Sequence, residues 1–577
     1  MFRRFTPFLA LPLLLAACAT PRPSIAPPAA APVAPPATYE RGMVSAADPR
    51  AAQAGAEMLR AGGSATDAAL ATLLALNVVE PQSSGIGGGG FLLVDDGTGH
   101  VESVDGRETA PAAAHPRWFE VDGRPLSVPE AIPGGLSVGV PGNVRLMEDA
   151  HRRFGRLPWK QVFGPAIALA RDGFVVTPRL RQMLAGSPTT AALTPAGRAL
   201  YFGADGNPLP VGTTIRNPAL AAFLGRLANE GPQAFYQGAN AEAVARTVAT
   251  APRNPAPMMA TDLAGYRAKS RQPVCTAYRA YRVCGMGPPS SGATTVSGVL
   301  TMLERFDLTA LGKDSPTAWH LIAEAQRLAY ADRERYLADS DFVPVPVAGL
   351  VSRDYLAARS ALIAADRTMP SVAAGTPPGA ATVQADTLTP DVPSTSHFVA
   401  VDRAGQVATL TSTIESAFGS GLVVNGYYLN NELTDFSLAP EREGKPVANR
   451  VEAGKRPRSS MAPTLVYGPD GKLRLALGAA GGATIPAQVL RAIVGVIDWK
   501  LSAQDALALP VIFAPGGNAV FVERGSGLEA MIPALKALGH AEVTPRDMPL
   551  KANAIEVAGA SLRGAADPRS EGRAVAE

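Results

Sequence analysis

The segments "HFVAVDRAGQVATLTSTI" (397–414) and "APTLVYGPDGKLRLALG" (462–478) each read as two strands about a polar turn, Asp402 to Gly405 in one and Pro469-Asp470-Gly471 in the other. Their arms are apolar at nearly every position. Such strands need cover on both faces, which points to sheets packed face to face with helices outside. The expected fold class is therefore α/β, a four-layer αββα sandwich. Helices are available to build the outer layers. "SAADPRAAQAGAEMLRAGG" (45–63) closes on a glycine pair, and Ser64 with Asp67 resembles a capping box before the nearly all-apolar "AALATLLALNVVEP" (68–81). "SPTAWHLIAEAQRLAYADRERYLAD" (315–339) has Ser315 as N-cap and Pro316 at the first helical position, with Leu321, Ala325, Leu328 and Ala329 on one face.

"GIGGGGFLLVDD" (85–96) matches GxGxxG, but a strand follows where a dinucleotide site needs a helix. The glycines read as a sharp backbone path into that strand. "ESVDGRETAP" (102–111) ends a second strand, with Arg107 at its exit. No repeat is evident. The 577 residues allow one to three domains, and 47% hydrophobic with 18% charged residues is ordinary for a well-cored protein. A net charge of +3 with no basic block gives no reason to expect nucleic acid as a partner. Six histidines without HExxH or paired-cysteine spacing give no metal signal.

At the N-terminus, Arg3 and Arg4 precede a twelve-residue apolar run, Phe5 to Ala16, ending in Leu15-Ala16-Ala17-Cys18. The run falls short of the roughly 20 residues of a membrane span and fits a signal peptide, 1–17. Leu-Ala-Ala-Cys resembles the bacterial lipobox, which would make Cys18 the lipidated first residue of the mature chain; ordinary signal cleavage is the alternative. Ala19 resembles outer-membrane sorting, so the expected location is the periplasm, with membrane contact only through the lipid. Residues 18–38 hold seven prolines and read as a semi-rigid tether. Cys275 and Cys284 flank "TAYRAYRV", which reads as one arm of a sheet; in an oxidising compartment they could pair, or stay as two buried thiols.

Residues 365–393 are rich in Pro, Ala, Gly and Thr and read as a mobile linker that ends at Ser394, where a buried strand begins. A cut between Ser394 and Thr395 would leave Thr395 with a free α-amino group beside its own hydroxyl. An α-amine of pKa about 8 can serve that hydroxyl as general base. His397 invites a serine-protease-like triad, but no partner aspartate is implied, and a structural hydrogen bond is the simpler role.

"TSH" at 395–397, "TIESAFGSG", "LNNELTDFS", "GKRPRSSMAPT", "GAAGG", "GIGGGGF", "DGRETAP", "GPPSSG" and "ADPRS" together resemble the γ-glutamyltransferase family of N-terminal-nucleophile hydrolases, over residues about 40 to 570. The resemblance implies a proenzyme that cuts itself at Ser394-Thr395 into a large subunit, 39–394, and a small subunit, 395–577. It implies Thr395 as nucleophile, Thr413 as the hydroxyl that orients it, and Gly481 and Gly482 as the oxyanion hole. Arg107, Ser459 and Ser460 would hold the substrate α-carboxylate, and Glu432 and Asp435 the α-ammonium. The implied substrate is a small γ-glutamyl amide such as glutathione, resolved by water or an acceptor amine, with no cofactor.

Three departures stand out. Glu415 occupies a position where the best-known transpeptidases carry Asn, and its role is open between stronger ammonium binding and a changed acyl preference. "LAPEREGKPVANRVEAGK" (438–455) occupies the place of the active-site lid, is short and lacks tyrosine, which suggests an open pocket, bulkier substrates or hydrolysis over transfer. "ALPVIFAPGGN" (508–518) lacks the Pro-Arg usual there. A glutaryl-amide acylase of the same family and an inactive envelope binding protein are the other readings.

Overall fold

The computed structural model describes residues 1, 38–381, 385–386 and 394–577. The signal segment, Cys18, the tether through residue 37 and most of the approach to Ser394 lie outside the described residues. Thirteen strands build two antiparallel sheets: β1 (Met43–Ala46), β2 (Gly89–Asp95), β3 (Val101–Asp105), β4 (Lys269–Ser270), β5 (Val274–Tyr278), β6 (Tyr281–Gly285), β7 (Ser396–Val401), β8 (Val407–Thr413), β9 (Thr464–Tyr467), β10 (Leu473–Ala480), β11 (Lys551–Ala558), β12 (Ser561–Ala566) and β13 (Arg573–Ala576). The first sheet runs β13-β1-β7-β8-β2-β3-β4 and the second β12-β11-β10-β9-β6-β5. Both hairpins expected from their turns are present, β7–β8 and β9–β10.

Alternation along β7 and β8 assigns the layers. Phe398, Ala400, Ala408 and Leu410 share one core with the helices α1 (Pro49–Arg60) and α2 (Ala65–Val79). Val399, Val401 and Val407 point the other way, into a core with Leu475, Leu477 and Ile555 of the second sheet. That core continues into α4 (Gly292–Leu303), α5 (Pro316–Tyr336) and α6 (Ile485–Ile497), while α3 (Asn143–Phe154) packs beside α2. The layers are thus helix, sheet, sheet, helix, as expected.

Local signals explain the helix starts. The Ser64–Asp67 capping box is formed, with Ser64 Oγ accepting from the Asp67 N–H and Asp67 from the Ser64 N–H. Every residue of α2 is buried, and each leucine in it contributes on the order of 2 kcal/mol. Ser315 caps α5, which ends at Tyr336, three residues short of the expected stop.

Three further expectations change. "TAYRAYRV" is not one arm but two: Arg279 takes φ 53° at a turn, and Cys275 and Cys284 face each other across β5 and β6, joined as a disulfide. The described part of the linker is packed: the Thr368 N–H donates to Leu538 O at 2.7 Å, and Tyr336 Oη to Gly375 O at 2.7 Å. The lid segment closes on itself as a small hairpin, Glu441–Arg442 with Lys445–Pro446. No helix among the described residues is long and apolar enough to cross a membrane.

Candidate active site

β7 and β8 place Thr395 and Thr413 side by side, because Ser396 pairs with Ser412 in the hairpin register. The Ser394 carbonyl oxygen is doubly engaged. Thr395 Oγ1 donates to Ser394 O at 2.5 Å and Thr413 Oγ1 at 2.8 Å, with the two hydroxyls 3.2 Å apart. The Glu415 N–H fixes Thr413 by donating to its Oγ1 at 2.7 Å, and Ser394 Oγ donates to Gln82 O at 2.6 Å. A hydroxyl nucleophile, a polarised carbonyl and an anchored preceding residue therefore meet at the head of one strand.

His397 takes no part in that contact. It faces the second sheet, where Gly478 leaves room for it: a Cβ there would come within 2.4 Å of the ring. Its Nδ1 is 2.8 Å from Thr411 Oγ1 and its Nε2 3.3 Å from Thr409 Oγ1, and burial pushes its pKa down to about 3. Below Ser396 lies an ion pair. Lys551 Nζ reaches Glu80 Oε2 at 3.0 Å, and Ser396 Oγ donates to the same oxygen at 2.6 Å. Burial lowers the Lys551 pKa to about 8.

The other half of the pocket is charged. Arg107, buried just beyond β3, bonds Glu432 through Nη1 and Asp435 through Nη2, and also donates to Arg458 O at 2.9 Å and Pro457 O at 3.2 Å. The 3-10 turn Glu432–Asp435 aims both carboxylates at the same guanidinium. Glu108 adds a third carboxylate 3.9 Å from Arg107 Nη1, seated where Gly89 has no side chain. Glu415 is the fourth: with φ 78° at the turn after β8, it accepts from Asn431 Nδ2 at 2.6 Å. Burial, then repulsion from Asp435 and Glu432, raises the Glu415 carboxyl well above the usual range; burial and Glu432 do the same to Glu108. Burial raises Glu432 to about 7 although Arg107 opposes it. Four carboxyl groups around one guanidinium make a site poised for a cation.

One wall carries the hydroxyls and glycines. Ser460 Oγ accepts from Arg333 Nη2 at 2.7 Å, Ser459 Oγ from the Met461 N–H at 3.1 Å, and Arg333 Nε donates to Ser291 Oγ at 2.9 Å. Gly481 and Gly482 take φ 131° and 59° between β10 and α6, conformations open to glycine, and Gly482 lines the pocket with Gly481 just behind it. Two successive positive-φ amides at such a turn form a cradle for an anion. The structure thus gathers Thr395, Thr413, Gly482, Arg107, Glu415, Glu432, Asp435, Ser459 and Ser460 around one cavity. Arg333 and Arg458 line it as well, and Glu108 lies beside Arg107; sequence reasoning missed all three, although Glu108 lay in the quoted "DGRETAP". The cavity is small, about 30 Å³, and Arg107 on its wall bonds both Glu432 and Asp435.

Away from the pocket, His320, Glu324 and His540 converge, a grouping no local spacing signals. Their contacts are internal: His320 Nδ1 lies 2.7 Å from His540 Nε2, and Glu324 accepts from Arg327 at 2.6 Å, Thr368 at 2.8 Å and the Met369 N–H at 2.7 Å.

A threonine at the head of an inner strand of an αββα sandwich, beside glycine amides, defines an N-terminal-nucleophile hydrolase. The chain belongs to the gamma-glutamyltranspeptidase family, whose model matches residues 51–577. It is 35% identical over 569 residues to a glutathione hydrolase proenzyme of Escherichia coli K12, covering 94% of this chain and 95% of that protein. It is 36% identical over 550 residues to the acylase ACY 1 proenzyme of Pseudomonas sp. strain V22, covering 94% of each. The crystal structure of a cephalosporin acylase from Bacillus halodurans superposes with TM-score 0.82 at 26% identity, over 98% of this chain and 99% of that one.

Proposed function

We propose that the chain is a self-processing γ-glutamyltransferase and glutathione hydrolase acting through Thr395. The observation that carries this is the Ser394 carbonyl oxygen held by both threonine hydroxyls at the rim of an acid-rich pocket. In processing, Thr395 Oγ1 bonds to the Ser394 carbonyl carbon, the C–N bond breaks, and the hydroxyl proton passes to the departing nitrogen. Water then hydrolyses the resulting ester, leaving a large subunit that ends at Ser394 and a small one, 395–577. In turnover the freed α-amine, of pKa about 8, takes the Oγ1 proton as Oγ1 attacks the γ-carbonyl. The Gly481 and Gly482 amides receive the oxyanion, a contribution of about 3 kcal/mol for such donors. The leaving amine takes the proton, and water or an acceptor amine resolves the ester.

Arg107, Ser459 and Ser460 suit the α-carboxylate, and Glu432 with Asp435 the α-ammonium. Binding requires these two carboxylates to exchange part of their bond to Arg107 for the ammonium. That same bond favours a second reading, a glutaryl-amide acylase, since a head group without an ammonium leaves the Arg107 pairs in place. The similarity to acylases supports it as well. Comparing γ-glutamyl and glutaryl anilides on the split enzyme decides between them: a γ-glutamyl preference is expected, and release from the glutaryl anilide alone would replace the first reading with the second.

Export and anchoring at Cys18 rest on the lipobox-like sequence, and the Cys275–Cys284 disulfide fits an oxidising compartment. Incorporation of labelled fatty acid that is lost in Cys18→Ser is the expected result; equal labelling of that variant would refute anchoring there.

A further inference from the structure

The chemistry at Thr395 makes no use of the ion pair beneath Ser396. Lys551, at the start of β11, is 1% exposed, and its Nζ lies 3.0 and 3.2 Å from the two carboxylate oxygens of Glu80, itself 3% exposed. Taking two charges out of water is costly, so a buried pair is weak evidence of a stabilising role. The contacts of this pair converge on the cleavage bond instead. Lys551 Nζ also donates to Ser83 Oγ and to Ser396 Oγ, each at 3.3 Å. Residues 80–83 form a turn after α2, closed by the Ser83 N–H on Glu80 O at 2.9 Å. Both neighbours of Thr395 are fastened to that turn: Ser394 Oγ donates to Gln82 O and Ser396 Oγ to Glu80 Oε2, each at 2.6 Å. The residue after Thr413 is fastened there as well, its N–H donating to Ser83 O at 3.2 Å. One ammonium therefore braces the turn against which the nucleophile, the scissile carbonyl and the orienting hydroxyl are aligned. A misplacement of about 1 Å among reacting atoms can cost about 10²-fold in rate.

Charge holds this brace together. Burial works against the Glu80 carboxylate, yet Lys551 and Arg179 keep it below its ordinary range, Arg179 Nε standing 3.8 Å from Glu80 Oε1. Asp48, the N-cap of α1, is the other acid facing Lys551, and it is bonded by Arg50 at 2.5 Å. Burial lowers Lys551 to about 8, so its ammonium is present at neutral pH and is lost in mildly alkaline solution, where Glu80 faces a neutral amine.

We propose that Lys551 is a positioning residue for self-cleavage: its ammonium keeps Glu80 ionised and tied to Ser396, braces the 80–83 turn, and so holds Thr395 Oγ1 against the Ser394 carbonyl. The inference rests on the reading of Thr395 as the residue that cuts its own preceding bond. Self-cleavage is the step to measure, because until the chain splits Thr395 has no free α-amine to titrate near pH 8. Full-length chain, pulse-labelled in cell-free synthesis and shifted to a set pH, is followed on a denaturing gel. The wild-type rate should fall about tenfold between pH 7 and about 9.5. At pH 7, Lys551→Met, which keeps the stem and loses the charge, should split about 30- to 100-fold more slowly. Adding Glu80→Gln removes the stranded charge and leaves an acceptor for Ser396, so the double variant should regain about tenfold or more and show no alkaline fall. Glu108, Glu415 and Glu432 are also raised, but the double variant retains them, so a fall that vanishes in it belongs to Lys551. A wild-type rate that is flat or rises over this range, a Lys551→Met chain that splits as fast as the wild type, or a double variant that keeps the alkaline fall would overturn the inference and leave the Thr395 reading intact. If Lys551→Met fails to fold, the wild-type profile and the double variant decide. A wild-type chain that splits at no pH would remove the Thr395 reading and this inference with it.

Discussion

The two halves of the pocket are built on opposite principles. Around Ser394, Thr395 and Thr413 every group is a neutral hydroxyl, carbonyl or amide, each with a hydrogen-bond partner in place before any chemistry. Around Arg107 the groups are ionisable and crowded: burial and neighbouring carboxylates raise Glu415, Glu108 and Glu432 above the usual carboxylate range. The first half is preorganised for a bond already present in the chain. The second gathers four carboxyls about one guanidinium, and burial holds several of them toward the neutral form. Glu415 joins the two, its N–H on Thr413 and its carboxyl on Asn431.

The contrast predicts that the halves fail separately. Thr413→Val keeps the shape of a residue that is 2% exposed but removes the donor to Ser394 O. Chain splitting, followed on a denaturing gel, should slow by about 10²- to 10³-fold, the usual effect of losing one such donor. Unchanged splitting would remove Thr413 from the chemistry. Asp435→Asn should leave splitting intact and raise KM for a γ-glutamyl anilide by about 10- to 100-fold, with a smaller effect on a glutaryl anilide. Equal effects on the two would mean that no ammonium is bound there. For Glu415, a neutral carboxyl predicts that Glu415→Gln alters kcat/KM by less than about threefold, whereas loss of an ionised partner of an ammonium would cost about tenfold or more.

The smallest effect concerns stability. Glu432 in the folded chain is raised to about 7 by burial, against an ordinary 4.5. The folded state therefore holds more protons than the unfolded one between these values, and stability falls as pH rises through that window. In unsplit Thr395→Ala protein, the melting temperature should drop by about 1–3 °C from pH 4.5 to 7, and Glu432→Gln should flatten the slope. A rise over that range would contradict the assigned direction.

Much of the fold was legible because it is local. The two hairpins followed from turn residues and apolar arms, and the Ser64–Asp67 and Ser315 caps from three-residue spacings. The site was legible only so far as its motifs were recognised in order along the chain. Glu108 sits beside Arg107 in the same motif, yet its place is set by the missing side chain of Gly89 on another strand. Arg333 faces the pocket from the last turns of α5 and meets Ser460, 127 residues on. The bonding of Arg107 to two carboxylates depends on side-chain geometry across 325 and 328 residues. No periodicity encodes contacts of that span.

The central claim is that Thr395 cuts its own preceding bond and then carries the acyl group. Intact-mass measurement of the purified wild-type protein, beside Thr395→Ala, tests it most directly. The wild type should yield two chains, the smaller beginning at Thr395, and the variant one uncut chain without turnover. A wild-type chain that stays whole, or a variant that splits at the same bond, would contradict it.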